Sequence, residues 1–111
     1  MFDEAVLLNL LGGDAAAAAE ITAEFLKDVP LQAAAFREAL AAGDAPLARR
    51  QAHTLKGASA NVGAEALRAV SQRAELACTA ESLREAGGLA EDLDAEVRRL
   101  QDELAGNGRV A

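Results

Sequence analysis

The sequence predicts an all-α protein that folds as an antiparallel four-helix bundle, with a short extra N-terminal helix packed on one end. Residues of high helix propensity, namely Ala, Leu, Glu and Arg, dominate the chain. Aromatic residues are limited to three Phe, and β-branched residues are sparse. Three of the four longer segments carry small or apolar residues at alternating spacings of three and four, and the remaining one repeats at a spacing of four over Ile21, Phe25 and Val29, as expected for the buried stripe of an amphipathic helix.

Length and charge narrow the domain count and the class of partner. The 111 residues suit one domain over 1–111, with an ordered part at about 2–105 and a flexible tail at 106–111. Eighteen acidic against eleven basic residues give a formal charge of −7, which disfavours binding to nucleic acid or to an anionic membrane surface. We therefore expect neither as a partner.

Three further features indicate the compartment. The acidic N-terminus does not resemble a signal peptide, and no apolar run approaches the length of a membrane span. Cys78 is the only cysteine, so an internal disulfide is excluded. We expect a cytoplasmic protein that is not inserted in a membrane.

Aspartates mark the starts of the first two predicted helices. Asp3 caps a short helix that Gly12-Gly13 ends, and Asp14 caps a long helix that Gly43 ends. Pro30 interrupts the long helix, but the apolar pattern resumes beyond it. We therefore predict one bent element rather than two helices.

The third helix is bounded by strong signals. Asp44 precedes Pro46 in a typical helix start, and Gly63 is a good stop. Small and apolar residues along this segment form one stripe that should face the core. They are Ala48, Ala52, Leu55, Ser59 and Val62.

Two more helices complete the predicted bundle. The fourth places Leu67, Val70, Ala74 and Ala77 on one stripe. The fifth is expected to start at a capping box of Ser82 and Glu85, and its apolar seam runs from Leu83 to Leu104. Gly87-Gly88 lies inside this seam and predicts fraying or bending of the first turns.

His53, the only histidine, lies on the third helix but off its apolar stripe. At about 100° per residue, the imidazole should sit at the edge of the core and face water. The neighbouring side chains on its face are cationic or small. They are Arg49, Arg50, Lys56, Gly57 and Ala60.

A carboxylate on the fourth helix is placed to orient this imidazole. His53 is ten residues before Gly63 and Glu75 twelve after it, a mismatch of only about 3 Å along the helix axis. Glu75 shares its face with Arg68, Ser71 and Gln72 rather than with the core stripe. We predict that Glu75 accepts the Nδ1 proton of His53 and leaves Nε2 as a nucleophile near neutral pH, with Gln72 as the fallback partner.

The remaining residues of this face fit a phosphoryl group on Nε2. The Lys56 ammonium could contact phosphoryl oxygens, and Gly57 removes a side chain that would crowd the approach. Arg49 and Arg50, together with Ala60, would form a docking surface for an acidic partner.

The stretch from Ala52 to Ser59, followed by Gly63-Ala64 and Leu67, closely resembles the signature of histidine-containing phosphotransfer (HPt) domains. Earlier segments are also similar to HPt modules of multistep phosphorelays, over 10–14, 25–30 and 39–44. The resemblance implies that His53 is the phosphorylated histidine, that Lys56 and Gly57 are the family's lysine and glycine, and that Glu75 orients the imidazole. Gly87-Gly88 departs from the family pattern.

The resemblance implies a phosphoryl carrier of a two-component phosphorelay rather than an enzyme. Such a domain accepts a phosphoryl group from an aspartate of one response-regulator receiver domain and relays it to an aspartate of another, and a hybrid sensor histidine kinase is a further expected partner. The Mg²⁺ for transfer belongs to the receiver, so no cofactor or metal of its own is expected. Neither glycine pair is followed by the Lys-Ser/Thr of a nucleotide-binding loop, so we expect no phosphorylation from ATP by the chain itself.

Two other functions stay open at this point. The chain could be the phosphoacceptor part of a sensor histidine kinase, which would dimerise, whereas four helices in one chain favour a monomer. It could also be a non-catalytic helical adaptor, for which His53 would be dispensable.

Overall fold

A computed structural model describes residues 3–78 and 83–106 of the chain. Within them the protein is all-α, as predicted, and no helix there is long and apolar enough to cross a bilayer. Some predicted features lie outside the described part. They are the cap Ser82, the side chains of Leu83 and Leu104, and the tail at 107–111. The helices are α1 (Glu4–Leu10), α2 (Ala15–Ala41), α3 (Ala45–Asn61), α4 (Glu65–Ala77) and α5 (Leu83–Gly106).

Three aspartates start helices as the sequence predicts. A side-chain oxygen of Asp3 accepts from the Ala5 amide at 3.0 Å, and Asp14 and Asp44 cap α2 and α3 in the same way. Each carboxylate satisfies an amide that has no partner inside its own helix, which is why the boundaries follow from local sequence.

A proline and a pair of glycines lie inside continuous helices. Pro30 lies within α2, which confirms one element on both sides of it. Gly87 and Gly88 lie within α5 and do not end it, and fraying or bending of its first turns stays a prediction. The helix continues through them for a tertiary reason: Ala86 and Ala90 flank the glycines and are buried, so the turn is held by packing against the rest of the bundle.

The four long helices form a closed ring. In this ring α3 packs between α2 and α4, and α5 packs between α4 and α2, while α1 contacts α2. The predicted four-helix bundle with an extra N-terminal helix is confirmed. Helix α2 is diagonal to α4, so the outward faces of these two helices point in opposite directions.

The core confirms the predicted apolar stripes, with one correction. All five predicted stripe residues of the third helix are buried, with Val62 at the C-cap of α3, and so are all four of α4. Ser71 was predicted to share the outer face of Glu75 but is fully buried. Ser71 lies one turn before Glu75, on the side of α4 that faces α3, and α3 packs closely against α4.

The turn between α3 and α4 holds the N-terminal segment. The Asp3 amide donates to the Gly63 carbonyl at 2.8 Å. Gly63 has φ +74°, and a Cβ there would overlap the carbonyl oxygen of Asp3. Gly63 therefore serves two purposes: it ends α3, and it admits the backbone that leads into α1.

Candidate functional site

The imidazole of His53 projects from the outer part of α3, because Ala52 and Leu55 on either side of it in sequence occupy the buried stripe. The His53 side chain is 66% exposed. Helix α3 contains Arg49, Arg50 and Lys56 but no acidic residue, so all eighteen acidic residues lie elsewhere. The histidine therefore lies on a cationic helix of an acidic protein.

Glu75 on α4 meets two residues of α3 at once. Its Oε2 lies 2.9 Å from Nδ1 of His53, and its Oε1 lies 2.7 Å from Nζ of Lys56. The Glu75 side chain is only 13% exposed. Each carboxylate oxygen of Glu75 thus contacts a residue of α3, and little of the side chain is left exposed to water.

The charge of Glu75 sets which atom carries the hydrogen in its contact with His53. The Lys56 ammonium, which hydrogen-bonds the carboxylate, lowers the pKa of Glu75; partial burial opposes this shift, and the contact with His53 adds to it. At neutral pH Glu75 is then ionised and can only accept, so Nδ1–H of His53 is the donor. In a neutral imidazole this leaves the lone pair on Nε2.

Gln72, the fallback partner in the sequence analysis, lies elsewhere. Its Oε1 accepts from Nη1 of Arg68 at 2.9 Å, and Arg68 also binds Glu65 through two nitrogens. Gln72 is thus part of an exposed network along α4. The structure brings Glu75, not Gln72, to His53.

The ion pair between Lys56 and Glu75 was missed by the sequence analysis, which assigned Lys56 to phosphoryl oxygens alone. The signal was present in the spacing. Lys56 is one turn from His53 on the same face of α3, so a carboxylate that reaches one of them from α4 also reaches the other.

The other predicted residues surround His53 as an open surface. Gly57, Ala60, Arg49 and Arg50 are all exposed. A Cβ at Gly57 would meet no described atom within 4 Å, so packing inside the chain does not require this glycine. Among the residues described here, Arg49 and Arg50 form no ion pair.

The described residues offer an exposed imidazole nitrogen and no cluster of metal-binding side chains. In the described ranges, no group of three or more His, Cys, Asp or Glu side chains is arranged to hold a metal ion. Nε2 of His53 likewise has no hydrogen-bond partner among the described residues. The arrangement can therefore present one oriented imidazole nitrogen to an incoming electrophile.

Comparison with known families identifies this arrangement. Neither the curated proteins nor the solved structures gave a match. The family model of the Hpt domain matches residues 20–103, which contain the whole of α3 and α4 and thus His53, Lys56 and Glu75. Hpt domains are helical phosphocarriers of two-component signalling that interact with receiver domains and histidine kinases. The match spans most of the chain, and the protein therefore belongs to the Hpt domain family.

Proposed function

We propose that this protein carries a phosphoryl group on Nε2 of His53 in a two-component phosphorelay. It accepts the group from an aspartyl phosphate of one receiver domain and relays it to an aspartate of another, with no kinase activity of its own. The observation that carries the proposal is the contact between Nδ1 of His53 and the ionised carboxylate of Glu75, which leaves Nε2 without a partner among the described residues.

The transfer follows from this hydrogen bond. The Nε2 lone pair attacks phosphorus in line, the bond from phosphorus to the aspartyl oxygen breaks, and the aspartate leaves as a carboxylate. The proton on Nδ1 stays where it is, and the ring becomes positively charged. The Glu75 carboxylate, 2.9 Å from Nδ1, offsets that charge. Relay to the second receiver is the same step in reverse, with a different aspartate as acceptor.

Three further features suit this role. Lys56 lies one turn from His53 and can move its ammonium from Glu75 toward the phosphoryl oxygens. Gly57 leaves open space beside the histidine for the partner. Arg49, Arg50 and the small Ala60 offer a cationic surface to the acidic pocket of a receiver.

The proposed role also implies a metal source, partners, an oligomeric state and a compartment. The Mg²⁺ for the transfer belongs to the receiver, and this chain contributes no cofactor. Hybrid sensor histidine kinases and response regulators are the proposed partners, and the chain acts as a monomer in the cytoplasm. A bundle completed by four helices of one chain supports the monomeric state.

The experiment is intact mass spectrometry of the wild-type chain after incubation with a phosphorylated receiver domain and Mg²⁺. We expect one added phosphoryl group that is labile in acid and stable in base, as for phosphohistidine, and that fragmentation assigns to His53. An unmodified chain after incubation with a panel of active receivers would instead favour the adaptor.

Glu75 is predicted to govern the transfer rate. In a Glu75→Ala variant Nδ1 loses its acceptor, both tautomers become populated, and we expect transfer to slow by about 10- to 100-fold, by analogy with the loss of the group that orients a metal-binding histidine. Single-turnover transfer and the ¹⁵N chemical shifts of His53 provide the measurement. Gln72→Ala is the matched control on the same helix and should transfer at the wild-type rate. If Glu75→Ala also does so, the orienting role is wrong.

Gly57 is predicted to matter for access and not for folding. Gly57→Leu should stabilise α3 by about 0.5–1 kcal/mol, because glycine is a poor helix former. The new side chain should collide with the docked receiver, at a cost of about 1–3 kcal/mol, or roughly 5- to 150-fold in transfer efficiency. Thermal unfolding and the dependence of transfer on receiver concentration measure the two effects. Gly87→Leu, also helical with open space around it, is the control; a wild-type transfer efficiency in Gly57→Leu would contradict the steric role.

A further inference from the structure

We propose that the buried hydroxyl of Ser71 is a positioning group for the phosphorylated state, in which it donates a hydrogen bond to Oε1 of Glu75 once Lys56 has left that oxygen for the phosphoryl group. This inference rests on the proposed function and adds one residue to it. Ser71 acts through Glu75 and not by contact with the phosphoryl group.

Two serines of the described chain are fully buried, but only one of them has a paired hydroxyl. Ser59 donates its Oγ hydrogen to the carbonyl of Leu55, one turn back on the same helix, at 2.6 Å. Ser71 makes no bond of this kind, and its Oγ has no hydrogen-bond partner among the described residues. A buried hydroxyl without a partner is unfavourable, so an acceptor that becomes free beside it should be bound.

Glu75 provides such an acceptor. Ser71 lies one turn before Glu75 on α4, and a helical side chain extends over the turn that precedes its own Cα, so the carboxylate reaches back toward Ser71. Helices α3 and α4 are joined by a short turn at 62–64 and run antiparallel, so Lys56 lies nearer the start of α4 than His53 does. The oxygen that Lys56 contacts, Oε1, is therefore the one on the Ser71 side.

The proposed transfer leaves this oxygen without its donor. Nζ of Lys56 lies 2.7 Å from Oε1 in the free protein and moves toward the phosphoryl oxygens in the phosphorylated one. Glu75 is only 13% exposed, so water has little access to replace the ammonium. The Ser71 hydroxyl replaces it by rotation about one bond and holds the carboxylate in place for Nδ1 of His53.

This exchange favours the phosphorylated state. In the free protein the Ser71 hydroxyl is unpaired, and in the phosphorylated protein it pairs with a charged oxygen. A hydrogen bond to a charged group shifts an equilibrium by about 10- to 100-fold. Ser71 therefore shifts the exchange of the phosphoryl group with a receiver toward phosphohistidine.

The first test measures that equilibrium for the wild-type chain and a receiver domain with Mg²⁺, as the ratio of the single-turnover rate constants in the two directions. We expect Ser71→Ala to shift the equilibrium at least about tenfold away from phosphohistidine. Ser59→Ala is the matched control, because it removes an equally buried hydroxyl that is already paired. It should match the wild type.

The second test uses the stability of the unphosphorylated chain. Ser71→Ala removes an unpaired hydroxyl and should raise the urea concentration at the midpoint of unfolding. In a Lys56→Met background Oε1 of Glu75 has lost its ammonium, so the Ser71 hydroxyl is expected to bind it without phosphorylation. In that background Ser71→Ala should lower the midpoint and should no longer shift the phosphoryl-exchange equilibrium. A role of Ser71 in packing alone would give the same sign in both backgrounds.

Three results would overturn the inference. A wild-type exchange equilibrium in Ser71→Ala, with a wild type that is phosphorylated normally, would exclude the positioning role and leave the proposed function intact. A midpoint change of the same sign in both backgrounds would show that Ser71 does not pair with Glu75. A wild-type chain that takes no phosphoryl group from phosphoramidate or from any receiver would overturn the proposed function itself, and the role of Ser71 in the phosphorylated state with it.

Discussion

A His53→Gln variant is expected to accept no phosphoryl group from any receiver while it remains folded. Glutamine lacks a nucleophilic nitrogen, because its amide lone pair is delocalised, so the first step of the transfer has no acceptor. The side chain is 66% exposed, and we expect the free energy of unfolding to change by less than about 0.5 kcal/mol. Glu75 can keep its ion pair with Lys56 in this variant, so we expect the contact between α3 and α4 at this position to remain.

The measurement is intact mass of wild type and variant under identical conditions, with urea unfolding to verify the fold. The wild type should gain one phosphoryl group and the variant none. A phosphorylated His53→Gln chain would show that another residue is the acceptor. A His53→Gln variant that still binds its partner protein and signals normally would support the adaptor function.

The largest effect on stability is expected from Gly63→Ala. A non-glycine residue in the left-handed region costs about 1–2 kcal/mol, and the added Cβ would overlap the Asp3 carbonyl oxygen. The segment before α1 must then move away, which breaks the hydrogen bond from the Asp3 amide to the Gly63 carbonyl at a further cost of about 1 kcal/mol.

Gly43→Ala is the matched control for this variant. Gly43 has a similar φ of +71°, but a Cβ there meets nothing within 4 Å. In urea unfolding, Gly63→Ala should lower the free energy of unfolding more than Gly43→Ala does. Hydrogen exchange of the α1 amides should be faster in Gly63→Ala alone. Equal losses in the two variants would mean that the contact with Asp3 contributes nothing.

Most of the fold could be predicted because its signals are local. An aspartate cap and a glycine stop act on amides and carbonyls within one turn. The spacing of the apolar residues in each helix indicates which face is buried. The position of His53 at the edge of the core follows from the same spacing. The buried Ser71 could not be predicted in this way, because a small residue at the edge of a stripe is covered or exposed according to how closely the next helix approaches.

The sequence by itself determined the helices of this protein, their buried faces and the cationic face that carries His53. Only the tertiary structure decided that Glu75 and not Gln72 meets the imidazole, and that the same carboxylate holds Lys56. The two candidates are three residues apart, or about 4.5 Å along the helix axis, so a small change in the offset between α3 and α4 selects between them. That offset depends on how the side chains of two helices interdigitate, which no local pattern specifies.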